Sequence, residues 1–238
     1  MSGLIEPALE LSKKLEGLDF NPPVEFVYRP LEYAWDAHRI YLERFAAGPK
    51  RVLFLGMNPG PFGMTQTGVP FGEIAAVKDW MGIETAVGKP ACEHPKRPVE
   101  GFACKKSEVS GRRLWGLFAE RFGSAEKFFE EHFVVNYCPL VWMSQTGANL
   151  TPDKISAAEM APVEKACMEH LAQVVEVLQP SYLIGVGAFA EERLKRAAQI
   201  TGSQAILGKV LHPSPASPAA NRGWAEAATK QLEAQLVW

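Results

Sequence analysis

The chain has 238 residues, 47% hydrophobic and 22% charged, enough for one full α/β domain with a large core. Its formal charge of −2 excludes a protein that coats nucleic acid over its whole surface, though not one with a local basic face. Met1 to Phe20 mixes charges without the apolar core of a signal peptide, and no apolar run approaches membrane-spanning length. These features predict a protein of the cytoplasm, or of the nucleus in a eukaryote, with no membrane partner. One domain over residues 1–238 is expected, with 1–23 as an N-terminal helical extension.

Residues 4–17 have the pattern of a short amphipathic helix, followed by the extended stretch Asn21-Pro22-Pro23-Val24. Helical spacing returns from Leu31 to Phe45. Val52-Leu53-Phe54-Leu55 is a run of strand formers that leads into Gly56-Met57-Asn58-Pro59-Gly60-Pro61-Phe62-Gly63. Glycine and proline restrict this loop almost throughout, so it presents one polar side chain, Asn58, at a strand end. Ligands of open α/β sheets bind in such a place, although an ordinary strand-to-helix turn has the same composition. The loop continues to Glu73, and Ile74 to Met81 is a predicted short helix.

Residues 82–110 form a long irregular insertion with Pro90, Pro95 and Pro98, of the length usual for functional loops. Within 89–113, Lys89, Lys96, Arg97, Lys105, Lys106, Arg112 and Arg113 outnumber Glu93, Glu100 and Glu108. A solvated loop and a phosphate-binding one explain this charge equally well. Helices are predicted at 112–122 and after Ser124, a plausible N-cap. Phe133 to Tyr137 is the second strand, with Asn136 at its end, and 141–153 is a second polar loop. A long helix spans 156–178, with Pro162 marking a break or a late start. Strand 182–186, helix 188–198, strand 205–211 with Gly208 as a bulge, and helix 224–236 complete the order. Alternating strands and helices predict a parallel sheet with right-handed crossovers.

Asn58, Asn136 and His212 then follow three different strands at their C-terminal ends, which share one edge of a parallel sheet. Three residues distant in sequence can face one crevice there. Pro213-Ser214-Pro215 restrains the backbone after His212, whose neutral imidazole can donate a hydrogen bond to a developing anion. An Asn136 amide offers a donor and an acceptor together, as the edge of a base requires. Phe71, between Pro70 and Gly72, either fills the core or stacks on a flat ligand. Gly185-Val186-Gly187-Ala188-Phe189-Ala190 fits a dinucleotide fingerprint, but it follows the third strand and lacks the acidic residue about 20 positions on. Helix–strand packing is the better reading of it. Cys92, Cys104, Cys138 and Cys167 are too widely spaced for a zinc or thioredoxin pattern, so free thiols are expected. A metal site using them with His94 is the alternative.

The segments 56–64 and 66–73, together with His212-Pro213-Ser214-Pro215 and Asn221-Arg222-Gly223-Trp224, resemble the single-strand-selective monofunctional uracil-DNA glycosylases. Ser107 to Arg112 and Asn136 to Leu140 are similar to that family as well, and the likeness runs from about residue 24 to 224. It implies a three-layer uracil-glycosylase fold, a central four-stranded parallel sheet flanked by helices. It also implies hydrolysis of the N-glycosidic bond of uracil in single- and double-stranded DNA, with neither metal nor organic cofactor, by a monomer. By match, Asn58 positions the attacking water and His212 hydrogen-bonds the departing base. Asn136 reads the base edge, Phe71 stacks on the ring, and Met57, Gly60 and Met64 line the pocket. Ser110, Arg112, Pro213, Ser214, Pro215, Ala216, Asn221 and Arg222 fall where the family contacts DNA.

The glycine at position 60 leaves room at C5 of the base, so 5-hydroxymethyluracil becomes a possible substrate by resemblance. Animal members of the family carry a basic residue where this chain has Ala216, which weakens the expectation that 216–222 wedges into a duplex. The rivals are a mismatch-type uracil or thymine glycosylase with a similar Asn-bearing loop, a binding module of this fold without turnover, and a dinucleotide-dependent enzyme using Gly185–Ala190.

Overall fold

The computed structural model describes residues 3–238. In chain order the elements are α1 (Ile5–Leu15), β1 (Phe26–Tyr28), α2 (Pro30–Tyr33), α3 (Trp35–Phe45), β2 (Val52–Gly56) and α4 (Met64–Thr67). There follow α5 (Val109–Phe122), α6 (Ala125–Glu131), β3 (His132–Asn136), β4 (Val141–Met143), β5 (Asn149–Leu150) and α7 (Ala157–Leu178). The chain closes with β6 (Tyr182–Val186), α8 (Ala188–Thr201), β7 (Ile206–Val210), α9 (Pro218–Asn221) and α10 (Trp224–Ala234).

The main sheet has the order β3-β2-β6-β7, every pair parallel, as predicted. Residues one apart on a strand face opposite sides, and this separates the helical layers. Phe54 packs against the tilted ring of Phe118 of α5 and stacks with Phe128 of α6 on one face, in a cluster of aromatic rings that includes Trp115 and Phe129. On the other face a Cβ at Gly185 would overlap the Glu191 backbone of α8. This glycine therefore serves close strand–helix packing, as the sequence reading preferred. α7 packs on α8, and α1 lies along α7 with Leu4, Ala8, Leu11 and Leu15 buried in the same core.

Three expectations are corrected. Residues 141–153 are not simply a polar loop: β4 pairs antiparallel with β1 and β5 in a second, three-stranded sheet. Val141, Trp142 and Met143 are fully buried there, although the run is too short to stand out in sequence. Gly208 is not a bulge, since β6 and β7 stay in register from Tyr182–Ile206 to Val186–Val210. Its missing side chain instead makes room for Ile184 and for Gln235 beyond α10. Pro162 neither breaks nor starts its helix, because α7 runs through it from an N-cap at Ser156, whose hydroxyl accepts the Glu159 N–H. The short helix predicted at 74–81 includes a π-turn over Ala76–Trp80.

Candidate active site

β2 is buried throughout and ends at Gly56, which stands opposite Asn136 in the register with β3. The pairing continues past both strands. Tyr137 donates its N–H to the Gly56 carbonyl and Cys138 donates to that of Met57, each at 2.9 Å. Two loops that bear asparagines are thereby laced together by backbone.

Asn58 is half-buried, and its Nδ2 donates to the carbonyls of Pro59 and Leu140, both at 3.4 Å. With the amide nitrogen taken up by those carbonyls, Oδ1 is the atom of this side chain left to accept a hydrogen bond. The rest of the loop is held from beneath. Thr65 Oγ1 donates to the Gly60 carbonyl at 2.7 Å, and Gln66 Nε2 donates to those of Pro61 and Pro98 at 3.0 Å. Gln66 Oε1 accepts the N–H groups of Glu100 (2.8 Å) and Gly101 (3.1 Å). This fully buried side chain thus ties the 82–110 insertion to the Asn58 loop.

Asn136 and Phe71 meet above Gly56. A Cβ on that glycine would overlap Asn136 Oδ1 and lie 2.5 Å from the Phe71 ring, so the close approach depends on glycine at the strand end. Asn136 Nδ2 donates to the Met64 thioether at 3.5 Å, a weak acceptor. Phe71 is buried and sits at φ 52°, in the left-handed region that non-glycine residues rarely occupy. Its carbonyl accepts the Trp115 Nε1–H at 3.1 Å and the Glu73 N–H at 2.7 Å, which holds that conformation.

His212 follows β7 and its ring centroid is 6.4 Å from that of Phe71. Gly187 gives it room, since a Cβ there would come within 3.3 Å of the His212 Cβ. Burial holds the imidazole below its ordinary pKa, which favours the neutral ring near pH 7. The Ser214 N–H donates to His212 Nδ1 at 3.1 Å. In the neutral ring the proton is therefore on Nε2, which makes that nitrogen a donor. Asn58, Asn136 and His212 thus follow three strand ends along one sheet edge, as predicted, and Phe71 lies beside Asn136 and His212.

The residues matched to DNA contact are more dispersed. Pro215, Ala216, Asn221, Arg222 and Arg112 are exposed, Ser214 is half-buried, and Ser110 and Pro213 are buried. Asn221 shapes its own loop, donating from Nδ2 to the Pro215 carbonyl at 2.8 Å. Arg113 braces that loop, through Nη1 to the carbonyls of Pro213 (3.0 Å) and Ser214 (3.4 Å) and through Nη2 to Asn221 Oδ1 (2.9 Å). Sequence reasoning noted Arg113 only as charge, and it gave no role to Thr65, Gln66, Glu108 or Trp115. Of the basic segment, Lys89 pairs with Glu93 and Arg97 donates to the Gly147 carbonyl, whereas Lys96, Lys105 and Arg112 are exposed. His94 is buried and bonded to the Gln145 carbonyl and the Lys96 N–H, all four cysteines are free thiols, and no cluster suited to a metal ion occurs among the described residues.

Comparison with known proteins bears on this arrangement. The model of the uracil DNA glycosylase superfamily matches residues 43–233. This chain belongs to that superfamily. Within it, the single-strand selective monofunctional uracil-DNA glycosylase of Rattus norvegicus is 48% identical over 232 residues, 97% of this chain and 83% of the relative. The Bos taurus protein of the same name is 46% identical over 230 residues, covering 97% and 85%. These relatives show that the chain is a member of the single-strand-selective family. The crystal structure of SMUG2 from Pedobacter heparinus superposes with a TM-score of 0.71 over 100% of this chain and 98% of that one, at 19% identity, and so shares the glycosylase fold.

Proposed function

We infer that the protein is a monofunctional uracil-DNA glycosylase, which cleaves the N-glycosidic bond of uracil in DNA and leaves an abasic site. The observation that carries this reading is the coincidence of Asn58, whose amide nitrogen is taken up by two carbonyls so that Oδ1 stays free to accept, with a neutral Nε2–H donor, His212, on one sheet edge. As the bond breaks, positive charge develops on the sugar and negative charge on the base. A neutral asparagine is a poor general base, so the reaction is largely dissociative. Asn58 holds the water that captures the sugar cation, and His212 donates to O2 of the departing uracil.

Asn136 donates from Nδ2 to O4 and accepts N3–H at Oδ1, exchanging the weak Met64 sulfur for a better partner. Cytosine reverses that pattern of donor and acceptor and is rejected. Phe71 stacks on the ring, and Met57, Gly60 and Met64 complete the pocket. The base must leave the stack, which costs least in single strands and mismatches. Phosphates are met by the exposed residues of the 215–222 loop and by Arg112 in the first turn of α5, with Ser214 half-buried and Ser110 buried behind them. The enzyme acts as a single-domain monomer.

An oligonucleotide with one uracil, single-stranded and in duplex, tests this by alkali cleavage after incubation. Asn58→Ala and His212→Ala should each lower the single-turnover rate by about 10²–10⁴-fold, the range for lost acid–base and oxyanion groups. Activity on the single strand would count against the mismatch-type alternative. Binding without base release from folded wild type would overturn the reading.

A further inference from the structure

Glu108 directly precedes α5 and its side chain turns inward, with Oε2 buried and without a well-formed hydrogen bond, although the Gly111 N–H approaches the carboxyl. Buried polar atoms are nearly always partnered, so this one calls for an explanation. The carboxyl lies between two parts of the site. On one side a Cβ at Gly63 would overlap Oε2, and one at Gly60 would stand 3.5 Å from Oε1. On the other, a Cβ at Gly111 would stand 3.0 Å from Oε2 and would overlap the Phe71 carbonyl oxygen. One carboxyl therefore packs against both the loop that bears Asn58 and the helical turn beneath Phe71.

Its surroundings disfavour a charge. Residues 60–63 carry no titratable side chain, Lys105 and Arg112 are exposed, and the cations that reach this loop, Lys106 and Arg97, lie over the Phe62 ring at 5.0 and 5.5 Å from its centroid. Glu73, on the 71–73 segment, is buried and of like sign, held by Ser107 Oγ and the Ala76 N–H at 3.1 Å each. Burial first, and the Glu73 charge second, push the Glu108 carboxyl up to about 7, while the Gly111 N–H acts in the other direction. An excision that sends electrons into the base is opposed by a fixed anion behind the pocket loop, and a proton on the carboxyl removes that opposition.

We propose that Glu108 is a positioning residue of the excision reaction, whose uncharged carboxyl spaces the Asn58 loop from the Phe71 turn and whose ionisation slows the site. It acts through Asn58 and Phe71 rather than on the substrate, and the proposal rests on the glycosylase reading above. Single-turnover rate and KM on a single-stranded uracil oligonucleotide, measured from pH 6 to 8.5 with thermal unfolding of each variant, test it. The wild-type rate should fall by about tenfold across that range as the group ionises. Glu108→Ala should lose roughly tenfold or more in rate with KM within about twofold. Glu108→Gln, uncharged and of the same shape, should recover most of that rate and give a flat profile. Glu73→Gln removes the like charge and should move the wild-type fall to lower pH.

Parallel pH profiles for wild type and Glu108→Gln would overturn the proposal. So would a Glu108→Ala protein that loses stability but keeps its rate per folded molecule. A wild type that releases no uracil at any pH would instead overturn the glycosylase reading on which the proposal stands.

Discussion

The loop that carries Asn58 and the loop that follows His212 sit at the same sheet edge and are built in opposite ways. Residues 56–72 have their polar groups bound from below, with Thr65, Gln66 and Thr67 fully buried and hydrogen-bonded to loop backbone. Residues 213–222 lie largely in solvent and are braced by one side chain from outside, Arg113. His212 stands at their junction and shares the rigid regime, since the Trp224 Nε1–H fixes the Leu211 carbonyl at 2.5 Å and Ser214 fixes the ring. Groups that stabilise a transition state gain from being held before the substrate arrives. A loop that meets a deformable strand needs less of this, and its ordering can be completed on binding.

The contrast can be broken at several points. Gln66→Leu should give the largest effect, leaving the Pro61 and Pro98 carbonyls and the Glu100 and Gly101 N–H groups without their partner. A loss of about 4 kcal/mol in denaturant unfolding is expected from several orphaned buried groups. A much smaller loss would mean that the insertion is not tied to the Asn58 loop. Acid should loosen the same region. His38 donates Nδ1–H to the Gly68 carbonyl at the end of α4, and burial lowers its pKa to about 4. The unfolded chain, at an ordinary value near 6.5, binds the proton first, so stability is full above about pH 6.5 and is lost as pH falls towards 4. Thermal unfolding across that window should show roughly 3 kcal/mol less of this decline in a folded His38→Gln protein.

Gly56→Ala places a methyl group against Asn136 Oδ1 and the Phe71 ring, and the rate per folded molecule should drop about a hundredfold. A loss of only a few-fold would show that the pocket yields, and the contrast between the loops would fail. Arg113→Ala is the mildest of these changes. Freeing the outer loop should raise KM by about fivefold with kcat nearly unchanged, the cost of ordering a few side chains on binding. A fall in kcat instead would place the outer loop in the rigid regime as well.

What was legible in the sequence follows the same division. The four strands of the main sheet, the Asn58 loop and the strand-end position of His212 rest on local patterns, namely apolar runs closed by glycine and proline. The second sheet does not, because β1 pairs with β4 across more than a hundred residues with only three residues in each strand. Glu108 and Arg113 lie in the 89–113 segment, whose composition reads equally as a solvated loop and as a phosphate-binding one. Their partners come from α5 docking beside the loops of Asn58 and His212, and no spacing in the sequence carries that information. Gly208 shows the reverse error: a glycine in a strand suggested a local kink, whereas its cause is distant, the packing of Gln235.

The hydrogen bond from the Ser214 backbone to His212 has a consequence for how this site can change over generations. Its donor is an N–H that every residue except proline supplies. Side chains at position 214 can therefore be exchanged without altering which ring nitrogen carries the proton. The choice of tautomer is inherited through the course of the main chain, and it is shielded from most single-codon changes in a way that the asparagines are not.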